Sequence, residues 1–286
     1  MKARNVRYLR PGSVAAALRA LQDAGPDAVP MAGGQSLLAA LNMRLSSPTH
    51  IVDIGDLAEL RGIDEVDGVV RIGAATRHAE ILRNPVIGNS IPLLCEVGAH
   101  IAHIAIRNRG TIGGSLAYAD PAAEWPAAMV ALEARIIVAN TRGERSIAAE
   151  DFFVGLLETA LQPGELILRI EVPIPSPDMV TGFGELARRH GDFALVGLVV
   201  CTRIDQERLV APRLVYLGCS DHARKAVHVM DALDKAHVPL ADAMLYADAL
   251  RQDMSPSDIP GLRGDTRMKM AEVLTRRVLN SLTRPT

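Results

Sequence analysis

The sequence predicts an α+β protein, with a mixed domain running to about residue 175 and a smaller domain of sheet and helices after it. Amphipathic helical stretches alternate with short apolar runs through the first part of the chain. Pro173, Pro175 and Pro177, with Ser176 and Asp178 among them, form the best linker. Beyond that linker come two long apolar runs and then three helical patterns. No repeat of fixed period is visible.

In chain order, Ser13 is placed to cap a helix whose stripe is Val14, Leu18 and Leu21, ended by Gly25-Pro26. The apolar run 28–32 reads as a buried strand entering Gly33-Gly34, followed by helix over 36–44 and a strand over 50–54. Asp67-Gly68 between Val66 and Val69-Val70-Arg71-Ile72 is a hairpin signal. Thr76 is expected to cap a helix through Leu82, and 91–106 to be helical. A glycine-rich loop over 109–115 follows, then a helix over 122–132, a strand over 134–139, a turn at 140–143 and a strand over 165–172. After the linker, 194–204 and 209–217 read as strands and 223–233, 240–250 and 263–282 as helices. In the last of these, Met270, Val273, Leu274, Val278 and Leu282 make one apolar face.

At 286 residues the chain is long enough for about two domains. Its 49% hydrophobic content is that of a folded protein rather than a disordered one. The net charge of −2, without a block of one sign, gives no general basis for binding nucleic acid or an anionic membrane. Cys95, Cys201 and Cys219 are too few and too scattered for a disulfide framework or an iron–sulfur spacing, and read as free thiols in a reducing compartment. The basic start Met1-Lys2-Ala3-Arg4-Asn5 has no apolar segment behind it, and the uncharged run 194–202 is half a membrane span. These features lead to the expectation of a soluble, cytoplasmic protein.

Two glycine loops carry the chemistry, Ala32-Gly33-Gly34-Gln35-Ser36 and Thr111-Ile112-Gly113-Gly114-Ser115. Paired glycines reach positive φ and admit a ligand without obstruction by Cβ. Successive N–H groups make a nest for phosphate oxygens. One such loop is more often a plain turn, whereas two suggest a ligand with two phosphates; neither is a P-loop, since no GKS or GKT follows. Gly182-Phe183-Gly184-Glu185-Leu186-Ala187 fits GxGxxA, but a proline linker precedes it and charged residues follow, so it is read as a decoy. His100 and His103 stand i, i+3 on an expected helix without a third metal ligand nearby. Ser36 lacks the second glycine of a nucleophile elbow. Glu124 has two readings: an acid stabilising a helix start, which residue type and position favour, or a carboxylate accepting hydrogen bonds from ligand hydroxyls.

These motifs resemble the FAD-binding medium subunit of the molybdenum hydroxylases, the group that includes carbon monoxide dehydrogenase and the xanthine dehydrogenases. The resemblance covers nearly the whole chain. It is carried by Tyr8-Leu9-Arg10-Pro11-Gly12-Ser13, Ala32-Gly33-Gly34-Gln35-Ser36-Leu37-Leu38, Val52-Asp53-Ile54, Ile72-Gly73-Ala74 and the run 106–116. Asp120-Pro121-Ala122-Ala123-Glu124, Glu165-Leu166-Ile167 and Arg188-Arg189-His190-Gly191-Asp192-Phe193-Ala194 extend it. The pairing of AGGxSLL with TIGG and DPAAE at this distance is highly specific.

The resemblance implies a vanillyl-alcohol-oxidase-type (PCMH-type) FAD domain over 1–175, with subdomains of about 1–57 and 58–175, and a C-terminal domain over 180–286. It implies non-covalent FAD held by Met31, Ala32, Gly33, Gly34, Gln35, Ser36, Leu37, Ile101, Thr111, Ile112, Gly113, Gly114, Ser115, Glu124, Ile167 and Phe193. The glycine loops would wrap the pyrophosphate, Glu124 hold the hydroxyl chain, Ile167 lie against the flavin and Phe193 lie over the isoalloxazine. No side chain is assigned as catalytic and none as a metal ligand, since the flavin itself relays electrons. The molybdenum cofactor and [2Fe-2S] clusters are expected on a large and a small partner subunit, in a dimer of heterotrimers. The chain departs from the pattern at Gln35, where several members have His or Thr, at Gly184, where some have lysine, and at Thr266, where tyrosine is usual before Arg267. Two rival readings are a stand-alone flavin oxidoreductase of the same fold and a scaffold whose FAD carries no electrons.

Overall fold

The computed structural model describes residues 5–240 and 244–283, so residues 241–243 of the expected helix over 240–250, and Met1 to Arg4 of the basic start, lie outside the described residues. Strands β1 (Arg7–Leu9), β2 (Ala28–Met31) and β3 (His50–Asp53) form a parallel sheet in the order β1-β3-β2. Helix Val14–Ala24 packs on it through Ala17, Leu18 and Leu21, and Ser13 Oγ accepts from the Ala16 N–H as expected of its cap. The strand expected to be buried over 28–32 is only half-buried, because β2 is an edge strand with one neighbour.

A second, antiparallel sheet runs β4-β5-β10-β6-β7. It is built from β4 (Ile63–Val66), β5 (Val69–Gly73), β6 (Arg135–Asn140), β7 (Gly143–Ala148) and, after the small hairpin β8 (Phe153–Gly155) and β9 (Glu158–Thr159), β10 (Leu166–Pro173). Asp67 and Gly68 turn at φ 51 and 76, the pair of positive values that a two-residue hairpin of this twist requires. Thr76 caps no helix. Its hydroxyl bonds the backbone N–H and C=O of Gly62, and Arg77 precedes the short helix His78–Ile81 instead. The expected helix over 91–106 is two, Pro92–His100 and Ile104–Arg107, broken where Ala102 takes φ 42.

The third sheet is β11 (Met179–Leu186), β12 (Val196–Asp205) and β13 (Arg208–Leu217), antiparallel in that order. One face, with Phe183, Val199, Cys201, Val215 and Leu217, joins the core of the second sheet. The other, with Leu198, Val200, Leu214 and Tyr216, packs under the helices that follow. A sheet covered on both faces explains the uncharged run that begins at Ala194. Helix Glu124–Ala131 lies in the shared core, against β12 and β13 and beside helices Pro92–His100 and Ile112–Tyr118. All eight of its residues are buried, which is why it has no polar face.

The decoy segment lies in strand β11 up to Leu186, and among the described residues no helix separates it from β12. Helix Gly264–Ser281 presses on this strand so closely that a Cβ on Gly184 would meet Val278 at 2.7 Å and Leu274 at 3.0 Å. The helix buries Arg267, Ala271, Leu274, Thr275, Val278 and Leu279, while Val273, expected on the apolar face, is 38% exposed. Among the described residues no helix is long and apolar enough to cross a membrane. Gly184→Ala should overpack this contact and lower stability to urea by about 1–3 kcal/mol. An unchanged midpoint would show that helix and strand are not in such contact.

Candidate functional site

The first glycine loop leaves β2 at Met31 and enters helix Leu37–Asn42. Gly33 has no room for a side chain, since a Cβ there would lie 2.2 Å from the Arg109 carbonyl oxygen and 2.9 Å from Gly110 Cα. Gly34 follows at φ 72, a conformation that favours glycine. Gln35 Nε2 donates to the Gly33 carbonyl at 3.2 Å, while the Gln35 and Ser36 side chains are otherwise exposed. The backbone N–H groups of Gly33, Gly34, Gln35, Ser36 and Leu37 meet no acceptor among the described residues. Five successive free donors are a nest for an anion.

The second loop is built differently. Thr111 caps helix Ile112–Tyr118, its Oγ1 accepting from the Gly114 N–H at 3.2 Å. The Ile112 N–H donates to Thr76 O at 3.1 Å, and the Gly113 N–H to Ala74 O at 2.9 Å. The sequence reading had both loops offering free N–H groups; in the second, those of Ile112, Gly113 and Gly114 are already used by the protein. Gly113 is a glycine because Ala74 lies against it, 2.6 Å from where a Cβ would stand. Gly114 is exposed, and a Cβ there would meet only the Thr111 hydroxyl, at 2.9 Å.

Two residues absent from the sequence reading set the second loop in place. The His78 backbone N–H donates to Gly110 O at 3.0 Å, and its ring fills the space a Gly110 side chain would take. Trp125 Nε1 donates to His78 Nδ1 at 2.9 Å. Burial, and Arg107 nearby, push the His78 pKa down to about 4, so the ring stays a neutral acceptor. No spacing marks either residue in the sequence. Arg107 Nη1 pins the turn after Ile101, donating to Ile101 O at 2.8 Å and Ala102 O at 2.6 Å.

The remaining candidates gather around these loops. Ala74 links the second loop to β10, its N–H donating to Leu168 O at 3.0 Å. Ile167 precedes that residue, 5% exposed, where a bulge shifts the pairing of β10 with β6. Ile101 is buried at the end of helix Pro92–His100. Phe193 is 70% exposed on the loop 187–195, which reaches Ile101's turn through Gly191 against the His103 ring. Ser115 is half-buried, its N–H held by Thr111 O. His100 and His103 are not on one helix: the first ends Pro92–His100 and the second precedes Ile104–Arg107. Cys201 and Cys219 are buried free thiols, pushed up by burial to about 11 and about 12, and Cys95 is half-buried.

Glu124 opens its helix but is only 7% exposed, which a simple surface helix-end charge would not be. Burial above all, with Glu185 and Asp120 adding, pushes its carboxyl up to about 8. Glu185 on β11 is likewise pushed up by burial, to about 7. The geometry is a glycine wall with a nest of free amides pressed against it, and two buried acids close enough to each other for Glu185 to raise the Glu124 pKa. A phosphate-bearing, hydroxyl-rich ligand fits that set.

Residues 4–175 match the family described as the FAD binding domain in molybdopterin dehydrogenase, and residues 182–282 the CO dehydrogenase flavoprotein C-terminal domain. The chain is 37% identical over 276 residues to the 6-hydroxypseudooxynicotine dehydrogenase complex subunit alpha of Paenarthrobacter nicotinovorans, covering 96% of this chain and 93% of that one. It is 34% identical over 277 residues to the carbon monoxide dehydrogenase medium chain of Hydrogenophaga pseudoflava, covering 96% of each. The solved carbon monoxide dehydrogenase from Hydrogenophaga pseudoflava superposes with a TM-score of 0.94 at 32% identity, covering 99% of this chain and 98% of that one. With a match over more than half its length, the chain belongs to the FAD-binding domain family of the molybdopterin dehydrogenases, as its glycine loops had indicated.

Proposed function

We propose that this chain is the FAD-carrying subunit of a multi-subunit molybdenum hydroxylase, receiving electrons from [2Fe-2S] clusters on a partner and delivering them to an external acceptor. The observation that carries this reading is the row of free amides at Gly33 to Leu37, set against the Arg109–Gly110 backbone in a chain of this family. Those amides, with Met31 and Ala32 leading into them, hold the pyrophosphate. Thr111, Ile112, Gly113, Gly114 and Ser115 form the opposing wall, where Gly114 leaves room for close approach. Glu124 accepts from the hydroxyl chain, and Ile101, Ile167 and Phe193 offer apolar surface to the ring system. When bound, the flavin accepts electrons singly and releases them in pairs, which is the cofactor's own chemistry.

The division falls as the resemblance implies: an FAD-binding domain over 1–175, with parts of about 1–57 and 58–175, and a C-terminal domain over 180–286. Three cysteines cannot supply the four ligands of a [2Fe-2S] cluster, so the clusters belong to a small partner subunit and the molybdenum cofactor to a large one. The assembly is a dimer of heterotrimers in the cytoplasm. Relatives of similar identity serve complexes named for 6-hydroxypseudooxynicotine and for carbon monoxide, chemically unlike substrates. The substrate pocket therefore lies on another chain.

Gly114→Val should expel FAD while the fold survives with some loss at the helix cap, because the added Cβ meets only the Thr111 hydroxyl, at 2.9 Å. Stoichiometric flavin in the purified variant would contradict the assignment of this wall. Glu124→Ala should weaken FAD binding by about 1–3 kcal/mol if a buried, charge-assisted hydrogen bond is lost. A loss below about 1 kcal/mol that fades with salt would return Glu124 to a helix-end charge. Isolated chain loaded with FAD should bleach with dithionite but stay oxidised with the complex's substrate under anaerobic conditions, until the partner subunits are added. Bleaching by substrate without partners would favour a stand-alone oxidoreductase, and no bleaching in the full complex a structural FAD.

A further inference from the structure

Glu185 has a buried carboxyl oxygen that nothing among the described residues satisfies. Its side chain is 3% exposed, and Oε2 has no hydrogen-bond partner among the described residues. Among the described residues the one cationic group within ion-pair range is His100, whose Nδ1 stands 4.0 Å away, too far for a hydrogen bond. His100 is itself driven towards its neutral form, first by burial and then by His190 beside it, so it is a poor counter-charge. A carboxyl taken out of water with neither a donor nor a counter-charge is costly, and such a group calls for a partner from outside the chain.

Glu124 shares the place. It is 7% exposed and its carboxyl meets no donor from another described residue, and Glu185 is close enough to raise its pKa. Among the described residues no group of three or more His, Cys, Asp or Glu is arranged to hold a metal ion there. We propose that Glu185 is a second acceptor of the cofactor pocket, its Oε2 taking a hydrogen bond from a hydroxyl or ring N–H of FAD beside Glu124, a proposal that rests on the FAD reading above. It makes Glu185 a binding residue on the C-terminal sheet, beyond the proline linker from every glycine of the two loops.

The test uses full-length chain stripped of FAD, as wild type, Glu185→Leu and Glu185→Gln, with thermal unfolding of the apo form and FAD titration by flavin fluorescence. Glu185→Leu removes the unsatisfied oxygen, so the apo chain should unfold at the same or a higher temperature while its Kd for FAD rises at least fivefold. Glu185→Gln keeps the shape, loses the charge, and should weaken FAD in the same direction. Unchanged Kd in Glu185→Gln, or a stabilised Glu185→Leu that binds FAD like wild type, would overturn the proposal. If Glu185→Leu fails to fold, the isosteric variant decides alone. Wild-type chain that fails to bind FAD would overturn the FAD reading itself, a result distinct from variants that bind equally well.

Discussion

A side-chain carbon on Gly33 would stand 2.2 Å from the Arg109 carbonyl oxygen, and the arrangement of the site depends on that contact. It joins the loop leaving the parallel sheet to the loop that closes on the antiparallel one. The second loop can bear the contact because it is fixed from behind. Ala74, Thr76 and His78 each exchange a backbone hydrogen bond with it, and the Trp125 indole holds the His78 ring. Its amides are thereby spent on the protein, whereas those of Gly33 to Leu37 stay free. One loop is a wall and the other is the donor array. This asymmetry is absent from the sequences of the two loops, which look alike.

The two buried acids have their own origin in the packing. Helix Glu124–Ala131 is buried on every side because it is packed between the third sheet and helices Pro92–His100 and Ile112–Tyr118, and its first residue is carried into the interior with it. Burial then moves Glu124 to about 8 and Glu185 to about 7, into the range where a carboxyl changes charge near neutrality. Buried carboxyls that no other residue of the described chain serves mark a place where a ligand is received rather than one where a core is stabilised. His78 shows the opposite case: with Trp125 donating to it and a pKa near 4, it is a structural acceptor over the whole neutral range.

Much of the fold was legible because its signals were local. Ser13 capping Val14–Ala24, the turn at Asp67-Gly68 and the two long strands of the third sheet follow from single residues or unbroken apolar runs. Strands β7 and β11 were not legible. The first shows mostly exposed polar residues to solvent, and the second carries glycines demanded by a helix far along the chain. The break at 101–103 was hidden inside an apolar run, and what holds it is Arg107 reaching back to two carbonyls. At the site, the glycine loops were readable as motifs, with Glu124 as an ambiguous acid. The supports were not, since His78, Ala74 and Glu185 gain their roles only through contacts that sequence spacing does not encode.

Amide hydrogen exchange of the full-length chain, with and without FAD, tests most directly whether the two loops divide their work in this way. The amides of Gly33 to Leu37 should exchange fast in the apo chain and become protected when FAD binds. Those of Ile112 and Gly113, already bonded to Thr76 and Ala74, should be slow in both states. Bound FAD without protection at Gly33 to Leu37, or with its main protection at Ile112 and Gly113, would contradict the account.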